Sequence, residues 1–455
     1  MAKQYCYRKS LTIERISHMN TTKLYAVAND LGYSSLKLGI KNVDIPTPIN
    51  KYFNHQEIYP SVIAIQRPQD FTKPVTFDNE QEQDEYFENL QDHLDVSFSS
   101  PAIDLPGRFL VGPRALTSGL VTRNFDVNDY SGKSESDLSI ILTLARLASQ
   151  VVSDSYANHE DLTKILSANI VMTTNLPIKE AKKPHVTNNY RDRYMSGKHL
   201  ITIHNFKQPI VVELTFVDVY VGLEGQMGQF EINNAPRELK KLIGEDFDKS
   251  YPKLAGEVDP DTLCKLQNVL GIDIGEGTTD YTVITEGHAN PVASVSMSTG
   301  YGNVLESAVS ILQNENMNIQ NRNALRHFLE EKAALPTKVA RQRHARETVY
   351  DQLDHFNDDI IQTTSSVMRH AGTDIEAAFV FGGGSIPLLK ETNLRQRLVD
   401  KLKGFAGGYD IPVIWIDPKY AQRLNMLGLT TYLKYFSKKY IKAHRENQPL
   451  PKAGE

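Results

Sequence analysis

Residues 268–284, NVLGIDIGEGTTDYTVI, decide the fold. An apolar run ends in Asp273, turns through Gly275-Glu276-Gly277, and returns through Tyr281-Thr282-Val283-Ile284. Two β-like runs joined by a glycine-bearing turn predict a hairpin. The same design stands earlier, in residues 24–40, LYAVANDLGYSSLKLGI, where Asp30 closes the first run and Lys37 lies on the return. Side by side, the turns are D-x-G-x-S-S-x-K and D-x-G-x-G-T-T-D. Each puts a carboxylate at a strand end, small residues in the turn, and hydroxyls after it. Small residues let backbone N–H groups approach a phosphate closely. Hydroxyls add donors, and Lys37 adds a point charge for phosphate oxygens. Two facing aspartates suit Mg²⁺ held mainly through water. The repetition predicts two similar halves facing one cleft.

A third element follows in the second half: Phe379-Val380-Phe381 runs into Gly382-Gly383-Gly384-Ser385. A buried strand opening into glycines offers flat backbone to a nucleoside or phosphate. Between the turns, apolar residues recur at helical spacing over 137–156, and β-branched runs lie at 169–173, 201–203 and 211–221. Residues 235–242 and 261–266 predict short helices, and 303–369 a long helical region. From Asp78 to Asp95 stand eight acidic residues and no Lys or Arg, which predicts a solvated face.

Composition bounds the rest. The chain has 455 residues, 40% hydrophobic and 23% charged, enough for a sizeable core in two or more domains. Lys plus Arg is 50 against 55 Asp plus Glu, a net charge of −5, which argues against a surface that grips nucleic acid as a whole. Cys6 and Cys264 are too few for a disulfide scaffold. No apolar run approaches a membrane span and the N-terminal residues lack an apolar leader, so the cytoplasm is the expected location. Gly132-Lys133-Ser134 looks like the end of a phosphate loop, but Val127 occupies the place of its first glycine. Gly300-x-Gly302 lacks the third glycine of a dinucleotide fingerprint, and the histidines show no zinc-ligand spacing.

In this order, the three glycine-bearing elements resemble the phosphate-1, phosphate-2 and adenosine motifs of the actin-like ATPase superfamily. The ParM/Alp-type bacterial plasmid-segregation actins are the nearest group. Phe109-Leu110-Val111-Gly112 with Ala115 resembles a strand motif of the small bacterial actins, and Asp417-Pro418-Lys419-Tyr420-Ala421 leading to Gly428 resembles their closing helix. The resemblance implies an α/β, actin-like (ribonuclease-H-like) two-domain fold with a nucleotide cleft between the domains. It divides the chain into an N-terminal extension (1–20), domain I (21–260, with a smaller subdomain over about 41–135), and domain II (261–418, with a helical insertion over about 304–370). A closing helix (419–445) returns to domain I, and a flexible tail (446–455) ends the chain. The basic amphipathic stretch Leu429 to Arg445 is expected to pack back on domain I.

The resemblance also implies roles. Asp30, Gly32, Tyr33, Ser34, Ser35 and Lys37 would grip the nucleotide from one wall. Gly275, Glu276, Gly277, Thr278, Thr279 and Asp280 would grip it from the other. Gly382, Gly383, Gly384 and Ser385 would lie beside the adenosine. Asp30 and Asp273 would organise Mg²⁺, largely through water. Glu224 would be catalytic with Asp273, positioning the attacking water, with Gln226 as the alternative; the proline common before that glutamate is absent. The expected cofactors are ATP, or GTP in its place, and Mg²⁺. The expected activity is ATP hydrolysis on polymerisation. The expected partners are further copies in a head-to-tail filament and an adaptor protein on centromere-like DNA, with no direct sequence-specific DNA contact and no membrane partner. Two other readings differ in class: a membrane-associated division homologue and a non-polymerising small-molecule kinase.

Overall fold

In the computed structural model, which describes residues 22–45, 59–126, 132–372 and 374–454, each of the two hairpins seeds a sheet. The expected N-terminal extension, 1–20, lies outside those residues. In the first hairpin β1 (Lys23–Leu31) pairs antiparallel with β2 (Ser35–Asn42), and Asp30 stands opposite Lys37. In the second, β11 (Val269–Ile274) pairs antiparallel with β12 (Thr279–Thr285), and Asp273 stands opposite Asp280. The first strand of each hairpin then takes a parallel neighbour: β8 (Leu166–Leu176) beside β1, and β15 (Ala377–Phe381) beside β11. The two halves thus repeat one plan.

Beyond β8, the first sheet continues through β10 (Ile210–Leu223) and β9 (Lys198–Ile203). It then runs to β5 (Asp95–Ser99), β6 (Arg108–Val111), β4 (Val62–Gln66) and the edge strand β7 (Thr122–Asn124), while β3 (Tyr59–Pro60) closes the other edge. Strands within 59–124 therefore extend the first sheet. The second sheet adds β16 (Val413–Trp415) beside β15, with β13 (His288–Ala289) and β14 (Val295–Met297) on β12.

Helix Asp137–Ala157 is capped by the Ser136 side chain, which accepts from Leu138 N. Its Ile141, Leu142, Ala145 and Val152 join Tyr25, Val27, Tyr194 and Ile201 in the core of the first sheet. In the second sheet the two faces separate by alternation. Ala378 and Val380 face helices Tyr301–Asn314, Pro336–Ala371 and Leu394–Phe405, whereas Phe379 and Phe381 face helix Arg237–Ser250.

Two expectations differ in extent. Residues 235–242 were expected as a short helix of the first half. The helix runs Arg237–Ser250, and Leu239, Ile243 and Phe247 pack on Val269, Phe379 and Ile414 of the second. An amphipathic stripe is legible in sequence, but the sheet that covers it is not. The closing segment is three helices, Pro418–Ala421, Leu424–Phe436 and Lys438–Arg445, broken at Ser437. It packs on the first sheet, where Met426, Leu429 and Leu433 meet Leu24, Ala26 and Val171. A Cβ on Gly428 would lie 1.8 Å from the Met227 carbonyl, so this closing helix touches helix Gln226–Asn233 backbone to backbone. Leu450, in the expected tail, packs against the same cluster.

Candidate nucleotide site

Both hairpin turns and the glycines after β15 open onto one cavity of about 360 Å³. In the first turn Gly32 N donates to Ser35 O at 2.8 Å, and a Cβ on Gly32 would lie 2.9 Å from that carbonyl. The second turn repeats this: Gly275 N donates to Thr278 O at 2.9 Å, and a Cβ would lie 3.0 Å away. Both turns need glycine because the chain folds back on itself there. They also touch: a Cβ on Gly277 would fall 2.8 Å from the Tyr33 ring.

The chemistry at the two strand ends differs. Lys37 Nζ lies 2.8 Å from Asp30 Oδ2, and Asn175 Nδ2, at the end of β8, donates to Asp30 Oδ1 at 3.3 Å. Among the described residues no cation forms an ion pair with Asp273, although Lys37 acts on it from farther off. Asn425 Nδ2 donates to its Oδ2 at 2.6 Å, while Asn425 Oδ1 accepts from Gly225 N and Gly228 N at 3.1 and 2.9 Å. Asn425 so ties Asp273 to the loop that carries Glu224. Gly382, at φ +90°, brings backbone against the same carboxylate, since a Cβ there would lie 2.4 Å from Asp273 Oδ1. Burial, ahead of the repulsion of Asp280, pushes Asp273 up to about 7.

Glu224 follows β10, and its N–H donates to Leu176 O at 2.9 Å. Its carboxylate pairs with Lys133 Nζ, which also donates to Leu31 O at 2.8 Å. Burial pushes Glu224 up to about 8 although Lys133 pulls it down, with Asp280 and Asp30 adding to the rise. Burial opposes the Lys133 ammonium too, but Glu224, Tyr33 and Glu180 outweigh it and raise its pKa. The two shifts pull opposite ways on the ionic pair. The ammonium is the firmer charge, because it lies between acceptors and near carboxylates.

Most of the residues expected at the site line the cavity: Asp30, Gly32, Tyr33, Ser34, Ser35, Lys37, Glu224, Asp273, Gly275, Glu276, Gly277, Thr278, Gly382, Gly383 and Gly384. Thr279, Asp280 and Ser385 stand behind its walls. Thr279 Oγ1 donates to Thr299 O. Asp280 accepts from Thr278 Oγ1, Ser296 Oγ and Ile178 N, pinning the second turn to the segment after β8. Ser385 Oγ donates to Gly382 O, and Trp415 Nε1 donates to Ser385 O. Gln226 opens a helix and does not line the cavity. Glu276 faces the cavity, but its carboxylate is bound by Arg322 and Arg326. Its carbonyl accepts from Gly302 N at 2.7 Å, so Gly300-x-Gly302 buttresses the second turn.

Lys133, Asn425, Tyr301, Arg326, Glu330 and Gln422 also line the cavity, and sequence reasoning did not assign them to it. The one available signal was Gly132-Lys133-Ser134, whose lysine reaches the cleft without being part of a phosphate loop. A larger cavity of about 590 Å³ lies at the opposite end of β1, among Lys23, Asn42, Glu160 and Lys164, and holds neither turn. Among the described residues no group of three or more His, Cys, Asp or Glu could hold a metal. The rise in the Asp273 pKa marks a buried carboxylate that a cation would relieve.

Comparisons with known proteins agree with this geometry. The family described as archaeal actin homologue MreB-like, C-terminal, matches residues 271–393. No curated protein matches the sequence. The structure is similar to that of the actin-like protein Alp7A, with a TM-score of 0.62 at 15% identity, over 94% of this chain and 100% of that one. It is similar to Ta0583, an archaeal actin homologue, in complex with ADP: TM-score 0.53, 14% identity, 91% and 100% covered. Bacillus thuringiensis ParM with AMPPNP follows at 0.50 and 13%, with 90% and 99% covered. The chain has the α/β actin-like fold, and the resemblance read from the three motifs holds at that level. No helix among the described residues is long and apolar enough to cross a membrane.

Proposed function

We propose that this actin-like chain is an ATPase that assembles head to tail into filaments and moves plasmid or similar DNA through an adaptor protein. One observation carries the reading: two matched acidic turns, with Asp30 and Asp273 at their roots, face each other across one cavity closed by Gly382 to Gly384. The ADP and AMPPNP bound to Ta0583 and Bacillus thuringiensis ParM support a nucleoside di- or triphosphate as occupant. Asp30 and Asp273 would hold Mg²⁺ largely through water, and the ion when bound supplies charge neutralisation for the phosphates. Ser34, Ser35 and Lys37 would hold the phosphates from one side and the N–H groups of the second turn from the other. The oxygen of a water aligned by Glu224 bonds to the γ-phosphorus. The bond to the bridging oxygen breaks with its electrons on ADP, and the proton lost by the water passes to Glu224. Loss of the γ-phosphate removes contacts shared by both walls and so weakens the closed, assembling form. A heterologous interface of this kind need not close into a ring.

A cavity of about 360 Å³ lies within the range of small-ligand sites. Light scattering and negative-stain microscopy of the purified chain with Mg²⁺ and ATP or GTP test the proposal. A rise in scattering with visible filaments and phosphate release is expected. A monomer that binds nucleotide without any rise at micromolar concentration would leave the kinase reading standing instead.

A further inference from the structure

Glu224 sits on a short loop after β10, and its carboxylate points to a residue from a distant loop. We propose that Lys133 is a positioning residue that aims Glu224 at the attacking water; this rests on the hydrolysis proposed above. Lys133 is 2% exposed, yet it ends in an ammonium. That ammonium bridges the Leu31 carbonyl, at the end of β1, and the Glu224 carboxylate, so it fixes the distance between the first hairpin and the base. It also lies 5.1 Å from the centroid of the Tyr33 ring, which rests on the second turn.

The arm that delivers it is built in detail. Glu180 accepts from Lys133 N and Ser134 N, both at 3.0 Å. Gly132 has φ +78°, and a Cβ on it would lie 2.3 Å from the Glu180 carboxyl carbon. Ser139 Oγ donates to Lys133 O at 2.6 Å. Glu180 itself stands on the helix Ile178–Ala181, whose first N–H donates to Asp280 in the second half. A buried ammonium is costly unless its partners compensate it. Here the partners are the two groups whose mutual placement hydrolysis needs, and a small misplacement of a base is expensive in rate.

The test is single-turnover phosphate release by the full chain with Mg-ATP, with affinity for a fluorescent ADP analogue measured alongside. Lys133→Met should lower kcat by about 100-fold while changing KM and ADP affinity by less than about threefold. In a Glu224→Gln background the same change should add less than about twofold, because both act on one water. Lys133→Arg should retain more activity than Lys133→Met. An equal fall in affinity and rate, or a full multiplicative loss with Glu224→Gln, would overturn the role and leave a structural ion pair. Should Lys133→Met lose cooperative thermal unfolding, Glu180→Gln decides: a fall of about tenfold in kcat supports the arm, and an unchanged kcat overturns it. No phosphate release by the unmodified chain would sink the ATPase reading itself, whereas an active chain with a fully active Lys133→Met variant would remove Lys133 alone.

Discussion

The two hairpins share a backbone and differ in charge. At matching register positions the first sets Lys37 opposite Asp30, and the second sets Asp280 opposite Asp273. The first wall is balanced within itself by an ion pair of 2.8 Å. The second holds two buried carboxylates facing one another across the ladder, with only neutral donors on Asp273 and Asp280. Like charges at facing positions are normally destabilising. Here hydrogen bonds from Thr278, Ser296 and Ile178 engage Asp280, and Asn425 donates to Asp273. One fold, used twice, gives a wall whose carboxylate is paired with a lysine and a wall whose two carboxylates face each other.

The largest test of that difference removes one of the facing carboxylates. Asp273→Asn should slow phosphate release by at least about 100-fold, close to 3 kcal/mol of transition-state stabilisation, while the nucleotide-free protein melts at a higher temperature. A variant with near-normal turnover would place the metal elsewhere. Next comes pH. Asp273 is raised to about 7 in the folded chain, against about 4 for an unfolded carboxylate. The native state therefore binds more protons than the unfolded state between those values. Its contribution is fully present below about pH 4 and is lost as pH rises through about 7, by on the order of 2–4 kcal/mol at most. Thermal melts of the nucleotide-free protein should fall over that window, and Asp280→Asn should flatten the slope by removing one source of the rise; a flat wild-type curve would deny that the second wall is uncompensated.

Two smaller changes sharpen the comparison. Lys37→Met strips the first wall of its cation and should weaken ATP binding about tenfold, or about 1.4 kcal/mol, by titration of a fluorescent analogue. If affinity holds, the lysine serves Asp30 and not the phosphates. Gly277→Ala acts where the hairpins meet. The added methyl meets the Tyr33 ring, so the walls must part slightly and affinity should drop by about two- to fivefold.

Much of the site was legible because it is local. Asp30, Gly32, Asp273, Gly275 and Gly382 lie where an apolar run ends in small residues, a pattern confined to a few positions. Glu224 came from the resemblance and not from any local pattern, with Gln226 as the alternative, and of the two only Glu224 lines the cavity. Asp280 matched the pattern but not the position, because Thr278 Oγ1, Ser296 Oγ and Ile178 N hold its carboxylate behind the wall. Glu276 matched both, yet Arg322 and Arg326 claim its carboxylate, and no local spacing announces a partner from another helix. Asn425 lacked any signal: a single asparagine in an apolar helix reads as an interruption until Asp273 is seen beside it.

Chain chemistry alone settled the elements. Period-two apolar runs made strands, glycines made turns too tight for a Cβ, and charges were placed at strand ends, each through contacts between near neighbours. Tertiary structure alone settled company. Lys133 meets Glu224 from 91 residues away and Asn425 meets Asp273 from 152. The helix Arg237–Ser250 covers the second sheet and not the first. Those pairings follow from which apolar faces exclude water together, a property of whole sheets and helices packed in three dimensions that leaves no periodic trace in the residues concerned.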